Sequence, residues 1–522
     1  PCPATDGIGE GKRKMIEAGS LWALVEKRAA ATPDGLIAVD EADRELSFAE
    51  FKARSERAAA GLAALGVEAG TNVSWVMPSR TDTIVLVAAL ARLGAVQNPC
   101  LPIYRERELG FVARQTGARL LIVPGVFRGF DYTAMAKTVA GERPGLDILD
   151  VSEGLPEADP SKLPPPPPET TPEDAPVRWI FYTSGTTSDP KGARHTDWTL
   201  DANARGMSKC LDLQADDRIA LVFPIAHIGG IGWLYGSLMS GAGMIMIEAF
   251  NPDETIPILA KHGVTQGTAG TVFHQAYLEA QRREPDVPLF PKVRAFPGGA
   301  APKPPQLHYD LVKEMGGVGI LSGYGLTECP IIAMNSSRCP AEKLAHTEGR
   351  VNPPEAKLRV VTLDGREAGP GEEGEFRAFG PQLCKGYVDE SLNEAAFDEQ
   401  GYFRTGDLGV LDEDGYVVIT GRLKDVIIRK GENISAQEIE DLLYDHPKIA
   451  DAAVIGVPDP ASGERVCAVV QCHAGEALGF EEMVEYLLGK ELMKQKLPEQ
   501  LELVDEIPRN PAGKILKKDL RE

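Results

Sequence analysis

The sequence predicts an α/β protein: a large N-terminal domain with βαβ-type sheets, a small β-rich subdomain, and an α+β C-terminal domain. Three observations carry this expectation. Short apolar runs of strand length alternate with amphipathic helical patterns up to about Ala333, as in parallel sheets built from crossovers. After Ala333 the texture changes to short strands and turns. Beyond Lys424 a compact mixed pattern follows, with its own helix start signal.

Composition sets the outer bounds. A chain of 522 residues is too long for one core. Its 43% apolar and 25% charged residues are those of a soluble globular protein. A net charge of −22 argues against nucleic acid or an anionic membrane as partner, yet a site of lysines and backbone amides still suits a small anion. Eight scattered cysteines, none in Cys-x-x-Cys spacing, read as reduced thiols of a cytoplasmic protein. No N-terminal segment reads as a signal peptide. The apolar stretch 231–250 is broken by Gly236, Ser237, Ser240, Gly241, Gly243 and Glu248, so it predicts a buried helix and a strand at 244–248, not a membrane span.

In chain order, Ser47 and Glu50 have capping-box spacing, and Phe48, Phe51, Ala58, Leu62 and Leu65 share one helical face until Gly66. A buried strand is expected at 72–77, an alanine- and leucine-rich helix at 81–93, and a strand at 120–123. Residues 156–176 hold nine prolines, five of them consecutive at Pro164 to Pro168. Such a run cannot join a sheet and predicts an exposed, extended crossover.

The stretch 182–192, Tyr-Thr-Ser-Gly-Thr-Thr-Ser-Asp-Pro-Lys-Gly, follows the apolar run 177–181 directly. It combines two glycines, five serine or threonine hydroxyls and Lys191, donors without bulk and a mobile charge. That chemistry suits a polyphosphate, although the Walker A order is absent. Alone, the stretch would also suit an ordinary polar surface loop. Three further clusters follow expected strands: Pro224 to Gly230 after 218–223, Pro297 to Pro302 after 293–296, and Ser322 to Glu328 after 318–321. Strand C-terminal ends converge in parallel sheets, which predicts one composite site. Further on lie expected strands at 358–362 and 374–378, then Thr405-Gly406-Asp407 and Gly421-Arg422-Leu423-Lys424. A capping box at Ser435 and Glu438, strands at 452–456 and 466–472, and Gly513-Lys514 close the pattern.

Five motifs in this order, 182–192, 227–230, 324–328, 405–407 with 421–424, and 513–514, resemble those of the adenylate-forming enzymes. That superfamily includes acyl-CoA synthetases, peptide-synthetase adenylation domains and beetle luciferases. The resemblance runs from roughly Leu21 to the C-terminus. Taken singly, Glu328 would be a solvated acid, Asp407 a turn residue, Lys514 a tail lysine and His227 a loop histidine. Their shared order gives them joint meaning.

The resemblance implies an ATP-dependent acid–CoA ligase. A carboxylate attacks the α-phosphate of ATP, giving acyl-adenylate and pyrophosphate, and a thiol then displaces AMP. By that likeness Thr183, Ser184, Gly185, Thr186, Thr187 and Lys191 hold the β- and γ-phosphates. Gly298, Gly299 and Ala300 would let adenine lie against backbone, with Tyr324 and Gly325 opposite. Thr327 would bond the α-phosphate, Glu328 would ligate Mg²⁺, Asp407 would accept both ribose hydroxyls, and Arg422 would reach the ribose or a phosphate. Lys514 would bridge the substrate carboxylate and α-phosphate, and His227 would complete the catalytic set with Thr327 and Glu328. The likeness also implies a hinge at Lys424 between a domain of residues 1–423 and a mobile one of 425–522. One orientation would deliver Lys514 and the other would bring Lys430, Gly431 and Glu432 to coenzyme A.

A free amino acid would need a buried carboxylate for its ammonium. The expected acyl-pocket residues, His227, Ile228, Trp233, Gly298, Gly299, Gly323, Cys329 and Ile331, include no acid, so an apolar acid is expected. Residues 104–108 and 124–132 resemble ligases of cyclohexanecarboxylate and medium-chain acids, which favours an alicyclic or medium-chain acid over an aryl or long-chain one. No carrier domain follows Lys514, so free coenzyme A is the expected acceptor. A stand-alone adenylation enzyme loading a carrier protein, or releasing acyl-AMP, is the alternative. A monomer or homodimer without membrane insertion is expected.

Overall fold

In a computed structural model of the chain, residues 15–183, 190–299, 303–429, 432–459, 463–510 and 514–521 are described. The N-terminal half is organised by a six-stranded sheet whose central strands Asn72–Val76, Val96–Cys100 and Leu120–Val123 run parallel. Trp179–Thr183 extends it, in parallel with Val96–Cys100, and carries Lys191–His195 as an antiparallel edge. The strand Asn72–Val76 is buried along four of its five residues, as a central strand covered on both faces should be.

The expected helices form where the periodicity put them. Thr81–Leu93 has the bounds expected of it, and Phe48–Ala64 starts at Ser47, whose hydroxyl accepts from the Glu50 amide at 3.2 Å. Their mutual packing, with Leu21–Ala31 and Ile228–Ser240, builds the main core around Trp75, Trp179 and Tyr235.

The proline-rich segment is a strap. It contains no strand, only the 3₁₀ turn Pro160–Lys162, and both flanking strands belong to the same sheet. Polar ties hold it: Arg92 Nη2 donates to Pro164 O at 2.7 Å, Gly19 N to Glu169 Oε2 at 2.7 Å, and Trp198 Nε1 to Thr170 O at 2.8 Å.

A second layer of sheet joins Arg218–Leu221 and Gly243–Met246 to Leu36–Asp40. Through the bridges Ile219–Gln266 and Gln266–Ala295 it runs on to Phe296–Gly299, Ile320–Tyr324 and Ala333–Met334. One expectation is corrected here. The strand begins at Phe296, not at residue 293, so Gly298 and Gly299 lie inside it. Val293 is spent in a turn closed by its amide on Phe290 O. The register pairs Gly299 with Gly323, and a Cβ on Gly299 would stand 2.7 Å from Gly323 O. Glycine is what permits these strands to run side by side.

After Ala333 comes the expected small antiparallel sheet, Lys357–Val361, Gly374–Phe379, Phe403–Leu411 and Val417–Arg422. A 3₁₀ turn at Leu423–Asp425 leads into the smaller C-terminal domain. That domain packs Ala436–Tyr444 and Phe480–Gly489 on a five-stranded sheet with its own core, including Ile439, Leu443, Val454 and Leu487. Among the described residues no helix is long and apolar enough to cross a membrane.

Candidate active site

The antiparallel register places Lys191 opposite Thr183 at the mouth of the hydroxyl-rich stretch. Ser184, Gly185, Thr186 and Thr187 lie outside the described residues, so only the two ends of the stretch have a stated position. Lys191 Nζ lies 5.7 Å from the centroid of the Tyr387 ring. The Tyr387 hydroxyl donates to Glu328 Oε1 at 2.6 Å. Burial raises the Glu328 pKa above the usual carboxylate range, while the Tyr387 hydrogen bond and the Lys191 charge pull it back. Lysine, tyrosine and carboxylate thus form one group beside the mouth of the hydroxyl-rich stretch.

Thr327 and Glu328 sit in the tight turn after Ile320–Tyr324. A Cβ on Gly325 would come 2.3 Å from Ile331 N, so this turn needs a glycine there. His195, fully buried, holds the turn from below: its Nε2–H donates to Thr327 O at 2.9 Å, and Nδ1 lies 3.0 Å from the Thr199 hydroxyl. Burial lowers the His195 pKa to about 4, which keeps it neutral.

The small sheet brings a second group. Asp407 faces Arg422 across the strand pair, with Arg422 Nε 2.8 Å from Oδ1, and Tyr324 OH donates to Oδ2 at 2.8 Å. Asp407 is 2% exposed, so its charge is paired inside the protein. Lys514 of the C-terminal domain reaches the same place. Its pKa falls to about 8, first from burial and then from the Arg422 and Lys424 charges, with Asp407 and Asp425 acting in the opposite sense. Asn510 Oδ1 accepts from the Lys514 amide at 2.9 Å and fixes the segment carrying it.

His227 caps Ile228–Ser240, its Nδ1 accepting from Gly229 N at 3.1 Å. Nε2 therefore carries the ring proton, and loss of solvation lowers the pKa to about 4. A small cavity opens here between Leu101, Phe181, Tyr182, His227, Ile228 and Thr327. Trp233 packs into the main core. Gly298, Gly299 and Gly323 form the adjoining strand pair, and the Ile331 side chain lies over Gly323. Of the expected acyl-pocket residues, His227 and Ile228 line this cavity, whereas Trp233, Gly298, Gly299, Gly323, Cys329 and Ile331 do not, and Cys329 is fully buried in the small-sheet core with Ile332 and Tyr387.

Ala300, Lys430, Gly431 and the side chain of Glu432 lie outside the described residues. Lys424 occupies the middle of the 3₁₀ turn between the small sheet and the C-terminal domain.

A family model of AMP-binding enzymes matches residues 25–388, and a model of the AMP-binding enzyme C-terminal domain matches 438–514. The chain belongs to the AMP-binding enzyme family. It is 33% identical over 522 residues to a salicyl-AMP ligase / salicyl-S-ArCP synthetase of Mycobacterium tuberculosis, covering 96% of this chain and 90% of the relative. It is 30% identical over 537 residues to a medium-chain fatty-acid–CoA ligase of Escherichia coli, covering 98% and 93%. The crystal structure of ATP-bound MatB from Rhodopseudomonas palustris superposes with a TM-score of 0.85 at 28% identity, covering 97% of this chain and 98% of that one. The apo form of that protein superposes at 0.76 with the same coverage.

This AMP-binding enzyme is therefore an adenylate-forming ligase of the acid–CoA and aryl-AMP class, with the class's large N-terminal and smaller C-terminal domains. Sequence reasoning missed two residues of the candidate site. His195 had a signal, since Ala193 and His195 alternate inward along a strand. Tyr387 had none: it reaches Glu328 across 59 residues.

Proposed function

We propose that the chain joins an apolar carboxylic acid to coenzyme A in two steps, by acyl-adenylate formation and then thiolysis, and that alicyclic or medium-chain acids are its substrates. The observation that carries this reading is the placement of Lys514 within electrostatic reach of the Asp407–Arg422 pair, with the Lys191–Tyr387–Glu328 group on the same domain as that pair. In the first step Lys514 would hold the carboxylate against the α-phosphate, Lys191 and the hydroxyls of 183–187 would hold the departing pyrophosphate, and Thr327 would bond the α-phosphate. Asp407 and Arg422 would seat the ribose, with adenine between the Gly298–Ala300 backbone and Tyr324. Preorganised donors at oxygens that gain charge lower the barrier without reorganisation cost.

Glu328 suits Mg²⁺, because one buried carboxylate with phosphate oxygens is the usual donor set for this ion. Among the described residues no cluster of three or more acidic, histidine or cysteine ligands competes for that role. Bound there, the ion would neutralise phosphate charge. His227, neutral with its proton on Nε2, would donate to an oxygen at the acyl carbon. For the second step we place the hinge at Lys424 and give the coenzyme A thiol path to Lys430, Gly431 and Glu432.

The uncharged wall supports an apolar acyl group: Ile228, Gly298, Gly299, Gly323 and Ile331 offer no partner for an ammonium. The relative named as a salicyl-S-ArCP synthetase favours a second reading, an aryl acid loaded onto a carrier protein. An assay of ATP- and Mg²⁺-dependent pyrophosphate and AMP release, with and without coenzyme A, across alicyclic, straight-chain and aryl acids tests both. AMP release that requires coenzyme A supports the ligase. Adenylate formation with no response to coenzyme A supports carrier loading and overturns our first reading.

A further inference from the structure

The strand Val417–Arg422 is one of the two outer strands of the small sheet, and it carries Arg422, the partner of Asp407. An outer strand leaves backbone carbonyls without a ladder partner. The pairing with Phe403–Leu411 is also irregular here: Gly421 faces Leu408 and Ile419 faces Gly409, so Thr420 falls in the bulge between them. The Thr420 carbonyl is taken up from beyond the Lys424 turn, where the Ser435 hydroxyl donates to it. Ser435 opens the helix Ala436–Tyr444, and the same hydroxyl oxygen accepts from the Glu438 amide at 3.4 Å. One group thus caps its own helix and bonds the other domain. Gly421 permits the approach, since a Cβ there would stand 3.2 Å from Ser435 Oγ. The helix that Ser435 caps is in turn tied to the segment carrying Lys514, because Lys517 Nζ pairs with Glu440 Oε1 at 2.7 Å.

We propose that Ser435 is a positioning residue for acyl-adenylate formation: by bonding Thr420 O it docks the C-terminal domain on the strand that presents Arg422, and so sets Lys514 at the Asp407–Arg422 pair. The inference rests on the two-step reading above and adds a residue to its first step. Ser435 touches none of the reacting groups in that reading. It acts through the helix Ala436–Tyr444 and the Glu440–Lys517 pair, which belong to the unit that delivers Lys514. One such hydrogen bond shifts the balance between a docked and an undocked domain by about fivefold. A shift of that kind favours only the step that uses the docked state.

The test separates the two jobs of the hydroxyl. Ser435→Asp keeps a helix cap but has no proton to give Thr420 O, Ser435→Thr keeps both functions, and Ser435→Ala loses both. The full-length chain and these variants are assayed for ATP–pyrophosphate exchange with cyclohexanecarboxylate, octanoate and benzoate, and for thiolysis of the matching preformed acyl-adenylates by coenzyme A. Ser435→Asp and Ser435→Ala should each lower kcat for exchange by about fivefold and leave thiolysis as fast as in the unaltered chain or faster. Ser435→Thr should keep both rates within about twofold of the unaltered chain. Exchange by Ser435→Asp equal to that of the unaltered chain assigns the hydroxyl to helix capping alone and overturns the inference. An equal loss in both half-reactions, the mark of general damage, overturns it too. If the unaltered chain shows no exchange, or no thiolysis, with any of these acids, the two-step reading falls and takes the inference with it.

Discussion

Tyr387 donates its hydroxyl proton to Glu328 at 2.6 Å while the Lys191 ammonium lies 5.7 Å from the centroid of the same ring, so one tyrosine couples the Lys191 cation to the buried carboxylate. Removing the hydroxyl with Tyr387→Phe takes away a donor that stabilises the ionised form. The Glu328 pKa, already raised by burial, should rise further, so the ionised form is lost at a higher pH as the solution is acidified. The acid limb of adenylation should move to higher pH and the Mg²⁺ requirement should grow about tenfold, the scale of one hydrogen bond to a charged group. Mg²⁺ titrations of pyrophosphate exchange at several pH values check this. An unmoved acid limb would show that Glu328 is not the ionisation that matters.

Lys514 has a pKa near 8 because it is buried beside Arg422 and Lys424. A lysine with a lowered value keeps its charge below that value and loses it above. The kcat/KM for adenylation, which reports the free enzyme, should therefore fall as pH rises through about 8. Lys514→Arg should flatten the alkaline limb. Lys514→Ala should lose the first half-reaction by about 10²-fold or more, the scale of a lost transition-state donor, yet still convert preformed acyl-AMP to thioester. Equal loss in both half-reactions would contradict the division of labour between the two steps.

Asp407 accepts from Tyr324 and pairs with Arg422 while almost fully buried. Asp407→Asn keeps the shape but leaves the guanidinium without its anion. ATP affinity measured by calorimetry should weaken about tenfold or more, and the alkaline limb set by Lys514 should move lower, because Asp407 is a charge that raises the Lys514 value. A limb that stays in place would separate the two residues electrostatically.

Gly299→Ala should destabilise the fold by about 1–3 kcal/mol, since the new Cβ meets the Gly323 carbonyl at 2.7 Å in a strand pair that cannot spread locally. Gly489→Ala is the control. That glycine ends the helix Phe480–Gly489 with nothing within 4 Å of its would-be Cβ, and alanine there should be neutral or stabilising by up to about 1 kcal/mol. Denaturant midpoints for the two variants decide it, and similar values would remove the steric account of the glycine pair.

Local signals were strong where the backbone itself imposes the answer. Period and capping located the helices Phe48–Ala64 and Thr81–Leu93, and five-fold proline in a row forbade a strand at 164–168. They were weak where glycine replaced side-chain pattern. The strand Phe296–Gly299 begins later than its local pattern suggests, because Val293 looks like a strand residue whereas the two glycines carry no propensity for one.

From sequence alone, motif order established an adenylate-forming ligase with an α/β N-terminal part and a smaller C-terminal domain, because turn chemistry, hydrophobic period and a phosphate-suited loop are written within a few residues of one another. Only the tertiary structure decided which side chains meet. Tyr387 finds Glu328, Arg422 finds Asp407 by strand register, and Lys514 arrives from another domain. These encounters depend on how separate elements pack and on where a missing Cβ leaves room, and neither is encoded by any short stretch of chain.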